Sequence, residues 1–164
     1  MSEKEMFLQT WEREFQTTLK VLKAYPSDKL DLKPHERSRS AKDLAWTFVG
    51  EESVVDGVSK GQIDLQGGPK SPDTFQEIIT VYEKHHNENV AKLKNLSDPD
   101  LNKSIPFPVA PKQMGQVRAL DILWTMLMDS VHHRGQLSVY LRLAGAKVPS
   151  IYGPTADEPW IAFQ

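Results

Sequence analysis

Between Val117 and Ala144 the chain reads VRALDILWTMLMDSVHHRGQLSVYLRLA, the most apolar helical stretch of its 164 residues. The apolar side chains fall on almost every face of such a helix, a pattern that is typical of a central helix. They are Leu120, Leu123, Trp124, Leu127, Met128, Val131, Leu137, Val139 and Leu141. We therefore predict a central helix here, ended by Gly145 and Pro149.

Three more helices are predicted upstream from the spacing of apolar residues and from start signals. They cover about residues 3–24, 40–60 and 71–96. Ser40 caps the second helix, and Ser71-Pro72 starts the third, because proline at the first helical position gives up an N–H that has no partner there.

The connections are rich in glycine and proline. Gly67-Gly68-Pro69 separates the second helix from the third. Residues 97–115 carry four prolines and predict a long irregular crossover with too few strand signals for a sheet. Residues 148–164 predict an extended tail whose apolar residues, including Ile161 and Phe163, pack on the helices or on a second subunit.

These elements predict an all-α fold, a four-helix bundle with a long crossover connection and an extended C-terminal tail. The length fits a single domain of residues 1–164. The apolar tail predicts a homodimer.

Composition narrows the classes of function. The formal net charge is -2, with 20 basic and 22 acidic residues mixed along the chain, so we expect neither a nucleic acid nor a membrane surface as partner. The absence of cysteine excludes disulfides, thiol nucleophiles and thiolate metal sites. With no secretory signal and no apolar run of about 18 residues, we expect a cytoplasmic protein acting on a small molecule.

Asp129 and His133 are the strongest candidates for chemistry. They lie four residues apart, on one face of the central helix, so a carboxylate and an imidazole face one point. That is half of a first-row metal site, and His132 lies about 100° round the helix from it. Spacing alone leaves a second interpretation open, in which the pair is an internal hydrogen bond that sets the packing of the helices.

The segment HHRGQLSVYLRLAG, from His132 to Gly145, resembles the fourth-helix signature of the DinB-like family. Ser40 to Glu52 resembles the second helix of that family, and Lys147 to Pro154 is similar to the tail of one branch. The resemblance implies a four-helix bundle, commonly dimeric. It also implies a divalent metal such as nickel or zinc, held by one histidine of helix two and two of helix four.

Carried over by residue, the helix-four ligands fall on Asp129 and His133, and the helix-two ligand falls on Thr47. Threonine is a poor ligand for a divalent ion. Glu51, one turn further on, can replace it in a Glu–Asp–His set that suits harder metals such as manganese or iron. His86, on the apolar stripe of helix three, is a second candidate for the pocket, although a solitary core histidine is usually only hydrogen-bonded.

The resemblance implies a metal-dependent transferase or hydrolase that acts on a small electrophile with a low-molecular-weight thiol. Glu51 would be the third ligand or the general base. The alternative is a non-catalytic dimeric protein, stress-associated or binding a small molecule, in which the metal site is degenerate.

Overall fold

The computed structural model describes residues 1–64 and 70–160 and is mostly helical. The predicted connection at Gly67 to Pro69 and the predicted packing of the tail residues Ile161 and Phe163 lie outside the described residues. The helices are α1 (Glu3–Lys23), α2 (Ala41–Lys60), α3 (Phe75–Asn95), the single turn α4 (Asp98–Leu101) and α5 (Ala119–Leu143). Two strands, β1 (Ser104–Ala110) and β2 (Gln113–Arg118), stand between α4 and α5. Within the described ranges, no helix combines the length and the apolar character of a membrane span.

Capping residues decide where the long helices begin. Ser40 accepts a hydrogen bond from the backbone N–H of Asp43, which confirms the predicted start of α2. The predicted start of α3 at Ser71-Pro72 was wrong, because α3 begins after Thr74. Thr74 and Glu77 form a reciprocal capping box that satisfies two backbone donors, whereas a leading proline only avoids one unpaired donor.

Each of the four long helices contributes buried side chains to two apolar clusters. α2 packs against α3 and α5, and α1 packs against the same two helices. Buried side chains include Phe7 of α1, Phe48 of α2, Ile78 of α3 and Leu123 of α5. Removing such apolar surface from water is the main contribution to stability.

The sequence of α5 predicted a central helix that is apolar on almost every face, but the structure leaves part of its apolar surface exposed. Leu120, Leu123 and Leu137 are buried, but Met128 is 67% exposed and Val139 57% exposed. α5 therefore keeps one apolar stripe on the surface.

The prediction that residues 97–115 form no sheet was wrong. β1 and β2 pair as an antiparallel hairpin, with Ile105 opposite Val117 and Phe107 opposite Gly115. Pro106 and Pro108 are two residues apart, so their backbone nitrogens lie on the same side of β1. Because β1 pairs with β2 only, that side can face solvent, where a missing N–H costs no hydrogen bond. The prolines therefore mark an edge strand here.

The segment after α5 folds back on its own chain. Asp157 pairs with Arg142 of α5, and Glu158 pairs with Lys20 of α1. Tyr152 donates a hydrogen bond to the buried carboxylate of Glu14, which also pairs with the buried Arg134 at 2.7 Å. These bonds join the tail to α1 and α5.

Candidate metal centre

Glu51 of α2 meets Asp129 and His133 of α5 where the two helices pack. Nδ1 of His133 lies 2.7 Å from Oε1 of Glu51 and 3.7 Å from Oδ2 of Asp129. One donor atom from each residue lies within 4.8 Å of the other two. The structure therefore brings together the three residues that the sequence suggested as ligands.

Local structure positions these side chains. The four-residue spacing in α5 puts Asp129 and His133 on one face, and the packing of α2 on α5 brings Glu51 to them. Ser130, also in α5, donates a short hydrogen bond to Oε2 of Glu51. Both oxygens of the Glu51 carboxylate are thus held in place.

The pKa values of both Glu51 and His133 are raised. Burial raises the pKa of Glu51 and outweighs the hydrogen bonds from His133 and Ser130, which lower it. The hydrogen bond to Glu51 raises the pKa of His133 above its ordinary value of 6.5, against burial, which lowers it. The pair therefore keeps a proton at a pH where an isolated histidine would release it, and a metal ion would have to displace that proton.

The donors suit a divalent ion. Two carboxylate oxygens and one imidazole nitrogen are ligands for first-row metals, and the set lacks the thiolates of closed structural zinc sites. Three protein ligands leave coordination positions open for water or substrate. Asp129 is 44% exposed, so the site can be reached from solvent.

A cavity of about 500 Å³ opens beside His133. This volume is within the range of small-molecule sites. The lining residues are Ser38, Arg39, Leu44, His133, Gln136, Val139 and Tyr140. Of the Glu51–Asp129–His133 group, His133 is the member that lines this cavity.

A model of the DinB family matches residues 1–160. The chain belongs to the DinB family. This result confirms the resemblance that the fourth-helix motif suggested.

Several known proteins are similar to this chain over 90% or more of its length. Uncharacterized protein YrdA of Bacillus subtilis strain 168 is 29% identical over 161 residues, which cover 96% of this chain and 92% of that protein. The crystal structure of a DinB-like protein from Bacillus cereus ATCC 10987 is 25% identical, with a TM-score of 0.75 over 90% of this chain and 97% of that one. A mycothiol-dependent maleylpyruvate isomerase shares the fold at 12% identity, with a TM-score of 0.50 over 90% of this chain and 65% of that one.

Thr47 stands at the position where the resemblance to DinB proteins implied a histidine ligand. It is bonded to other groups: Oγ1 donates to the carbonyl oxygen of Asp43 at 3.1 Å and accepts from Nη1 of Arg39 at 2.9 Å. In this DinB chain Glu51, one turn further along α2, makes the contact with His133.

His86 lies in a separate buried cluster. Only 1% exposed, it bonds Oε1 of Glu52 through Nδ1 at 3.0 Å, and its Nε2 lies 3.4 Å from Oε2 of Glu12. Its ring stacks on Phe15 with centroids 3.6 Å apart. The structure therefore does not bring His86 to the candidate metal centre.

Sequence reasoning missed Arg39, Tyr140 and Ser130. Arg39 lies in the irregular segment before α2, where no periodicity indicates which way a side chain points. Ser130 follows Asp129 directly, so a search for polar residues inside an apolar helix would have found it.

Proposed function

We propose that this DinB-family protein is a divalent-metal-dependent enzyme that joins a low-molecular-weight thiol to a small electrophile. Glu51, Asp129 and His133 are the proposed ligands. The observation that carries the proposal is their convergence within 4.8 Å beside a cavity of about 500 Å³.

Each residue has a proposed role in that reaction. Asp129 and His133 hold the ion from one turn of α5, and Glu51 is the third ligand or accepts the proton that the thiol releases. A divalent ion would supply the positive charge that lowers the pKa of a thiol or water bound to it. Ser130 holds Glu51 in position through its hydrogen bond.

The choice of a thiol rests on likeness. The mycothiol-dependent maleylpyruvate isomerase shares the fold of this chain and by its name uses a low-molecular-weight thiol. Nickel, zinc and manganese are the metals to test, because the first two suit the family resemblance and the third suits an oxygen-rich donor set.

Metal binding is tested on the full chain purified without an affinity tag. We expect nickel, zinc or manganese to raise the melting temperature, since a ligand that binds only the folded state stabilises it. His133→Ala should abolish the rise, whereas His132→Ala, which changes the neighbouring histidine outside the cluster, should leave it intact. No metal-dependent rise in the wild type, together with no metal in elemental analysis, would refute the proposal.

Activity is tested with the metal-loaded chain, a panel of low-molecular-weight thiols and a chromogenic aryl halide. The thiol sulfur bonds to the ring carbon, the halide leaves with the electron pair, and the thiol proton goes to the protein or to solvent. We expect loss of thiol to be metal-dependent and to disappear in Asp129→Asn.

A second candidate is a DinB protein without catalysis, in which the same residues form a structural ion pair. The observation in its favour is that Glu51 accepts hydrogen bonds from both His133 and Ser130. Under this alternative, chelator-treated protein unfolds at the same temperature before and after metal is added, and His133→Ala destabilises it strongly.

We further propose that the long helices form one DinB-like four-helix bundle and that the protein is a homodimer. The exposed stripe of α5 supports the dimer, because Met128 and Leu143 are each more than half exposed. A Cβ added to Gly135 on the same stripe would meet no atom within 4 Å, so a second helix can approach closely there. Light scattering should give twice the chain mass, and Leu143→Glu should reduce it to one chain.

A further inference from the structure

Arg39 lies on the wall of the cavity beside His133 and has no anionic partner in residues 1–64 and 70–160. In contrast, Arg118, Arg134 and Arg142 each pair with a carboxylate at 2.7 Å or less. Asp43, four residues away, is engaged elsewhere, because its Oδ2 accepts a hydrogen bond from Ser40. An uncompensated guanidinium on a cavity wall is therefore open to an anion from solution.

Arg39 is held at both ends. Its backbone carbonyl accepts a hydrogen bond from the Tyr140 hydroxyl at 2.9 Å, which ties the segment before α2 to α5. Its Nη1 donates to Oγ1 of Thr47 at 2.9 Å. The Thr47 hydroxyl proton goes to the carbonyl of Asp43, so the oxygen presents its lone pairs to Arg39.

This arrangement assigns Thr47 a role other than metal ligation. Its hydroxyl orients a guanidinium that has five N–H donors, only one of which is used by Thr47. The remaining donors keep the planar fork that matches a carboxylate in two parallel hydrogen bonds. Fixing the side chain in advance reduces the entropy lost when a ligand binds.

We propose that Arg39 binds the carboxylate of a small-molecule ligand in this cavity, with Thr47 as the positioning residue. The identity of this ligand as the substrate rests on the proposed function. In that case, the reacting end of the ligand lies toward Glu51, Asp129 and His133. The apolar walls, Leu44 and Val139, suit a short hydrocarbon chain between the two ends.

A carboxylate fits better than a phosphate. Among the described residues that line the cavity, Arg39 is the one cation without a carboxylate partner, and the carboxylates of Glu51 and Asp129 lie close to His133. A phosphate monoester carries about two negative charges and would be repelled by both carboxylates. A carboxylate carries one charge, which Arg39 neutralises.

The probe is butyrate, titrated into the chelator-treated and dialysed full chain and followed by the ¹⁵N signal of the Arg39 Nε–H group. We expect saturable binding that shifts this signal together with the amides of His133 and Tyr140. Butyramide, of the same size without the charge, should bind on the order of tenfold more weakly, since a hydrogen bond to a charged group is worth about that factor. Inorganic phosphate should also bind more weakly than butyrate, because Glu51 and Asp129 repel its additional negative charge.

Arg39→Gln should weaken butyrate binding on the order of tenfold or more. Arg37→Gln is the matched control, because it removes the same charge two residues away at a position that does not line the cavity. Arg39→Lys should bind with intermediate affinity, since it keeps the charge and loses the fork.

Thr47→Val should broaden or move the Arg39 Nε–H signal in the free protein and weaken butyrate binding about threefold, within the range of one neutral hydrogen bond. Thr47→Ser should restore both. If the signal and the affinity stay unchanged in Thr47→Val, Thr47 does not position Arg39.

The outcomes separate this inference from the metal proposal. Butyrate that binds Arg39→Gln as tightly as wild type, or butyramide that binds as well as butyrate, overturns the inference even if the protein binds metal. Tighter binding of phosphate through Arg39 would overturn the carboxylate assignment. Failure to bind metal, with Arg39-dependent butyrate binding intact, refutes only the proposed metalloenzyme.

Discussion

Glu51 and Glu52 are neighbours on α2, and each makes a short contact with a histidine of a different helix. Glu51 faces His133 of α5 at 2.7 Å, and Glu52 faces His86 of α3 at 3.0 Å. One step along a helix turns a side chain by about 100°, so adjacent carboxylates can serve two interfaces. The chemistry of the two pairs is the same, and their surroundings are not.

The position of a second carboxylate distinguishes the two Glu–His pairs. Asp129 and Glu12 are each 44% exposed. Asp129 approaches the same imidazole nitrogen of His133 as Glu51 does, so three donors converge on one point. Glu12 approaches Nε2 of His86, the nitrogen opposite the one that Glu52 contacts, so those donors diverge. Convergent donors can bind an ion, whereas divergent donors fix a ring.

The environment of each ring agrees with this distinction. His86 is 1% exposed, and its ring lies between Phe15 and Trp11. Asn89 donates to both the side chain and the backbone carbonyl of Glu52. His133 instead lines a cavity. The two pairs show that a buried Glu–His contact indicates function only when its donors converge and a ligand can reach them.

The largest expected effect is a loss of stability when the buried Glu52–His86 contact is removed. His86→Ala should lower the free energy of unfolding by about 3 kcal/mol or more, because it leaves two carboxylates without their partner and opens a cavity beside Phe15. His133→Ala should lower it by about 1 kcal/mol, because His133 is more exposed than His86 and Glu51 keeps the hydrogen bond that Ser130 donates. Urea unfolding measures both, and equal losses would contradict the distinction between the pairs.

Metal affinity should separate the two exposed carboxylates. Asp129→Asn should weaken metal binding by about 2 kcal/mol, on the order of thirtyfold, because it replaces a charged ligand with a neutral one. Glu12→Gln, at a carboxylate of equal exposure, should leave the affinity unchanged. Titration calorimetry with manganese or zinc makes the comparison, and an equal loss in Glu12→Gln would place the metal elsewhere.

The raised pKa of His133 should be visible in a titration. The ring protons of His133 should titrate above pH 6.5, because the hydrogen bond to Glu51 raises its pKa, and the midpoint should fall in Glu51→Gln. The folded pKa exceeds the unfolded one, so the stability from this proton is present below pH 6.5 and is lost as the pH rises through the folded pKa. NMR gives the midpoint, and an unchanged midpoint in Glu51→Gln would contradict the pairing.

The smallest effect is expected from Ser130→Ala. Ser130 donates to the oxygen of Glu51 that does not contact His133, so its loss frees one end of the carboxylate. Metal affinity should fall on the order of tenfold, at the lower end of the effect of residues that support a metal ligand. Ser138→Ala, which removes a serine of α5 bonded only to its own helix, is the control and should leave metal affinity unchanged.

Local sequence determined the parts of this protein that depend on short spacings. The periodicity of apolar residues predicted the four long helices, and the four-residue spacing of Asp129 and His133 predicted that they face one point. Helical geometry repeats every 3.6 residues, so such predictions need no knowledge of neighbouring elements. Glu51 was also suggested, from its place one turn after Thr47.

Tertiary packing decided the rest. The sequence does not distinguish a histidine clamped between two carboxylates from one that opens on a cavity, because the difference depends on which helix each face meets. Arg39 lies far from Tyr140 in sequence and gains its place only when the segment before α2 reaches α5. The same holds for β1, whose prolines are tolerated because β2 pairs with only one side of it. Contacts between distant segments form because the whole chain buries as much apolar surface as it can, and a local sequence pattern does not show which surfaces will meet.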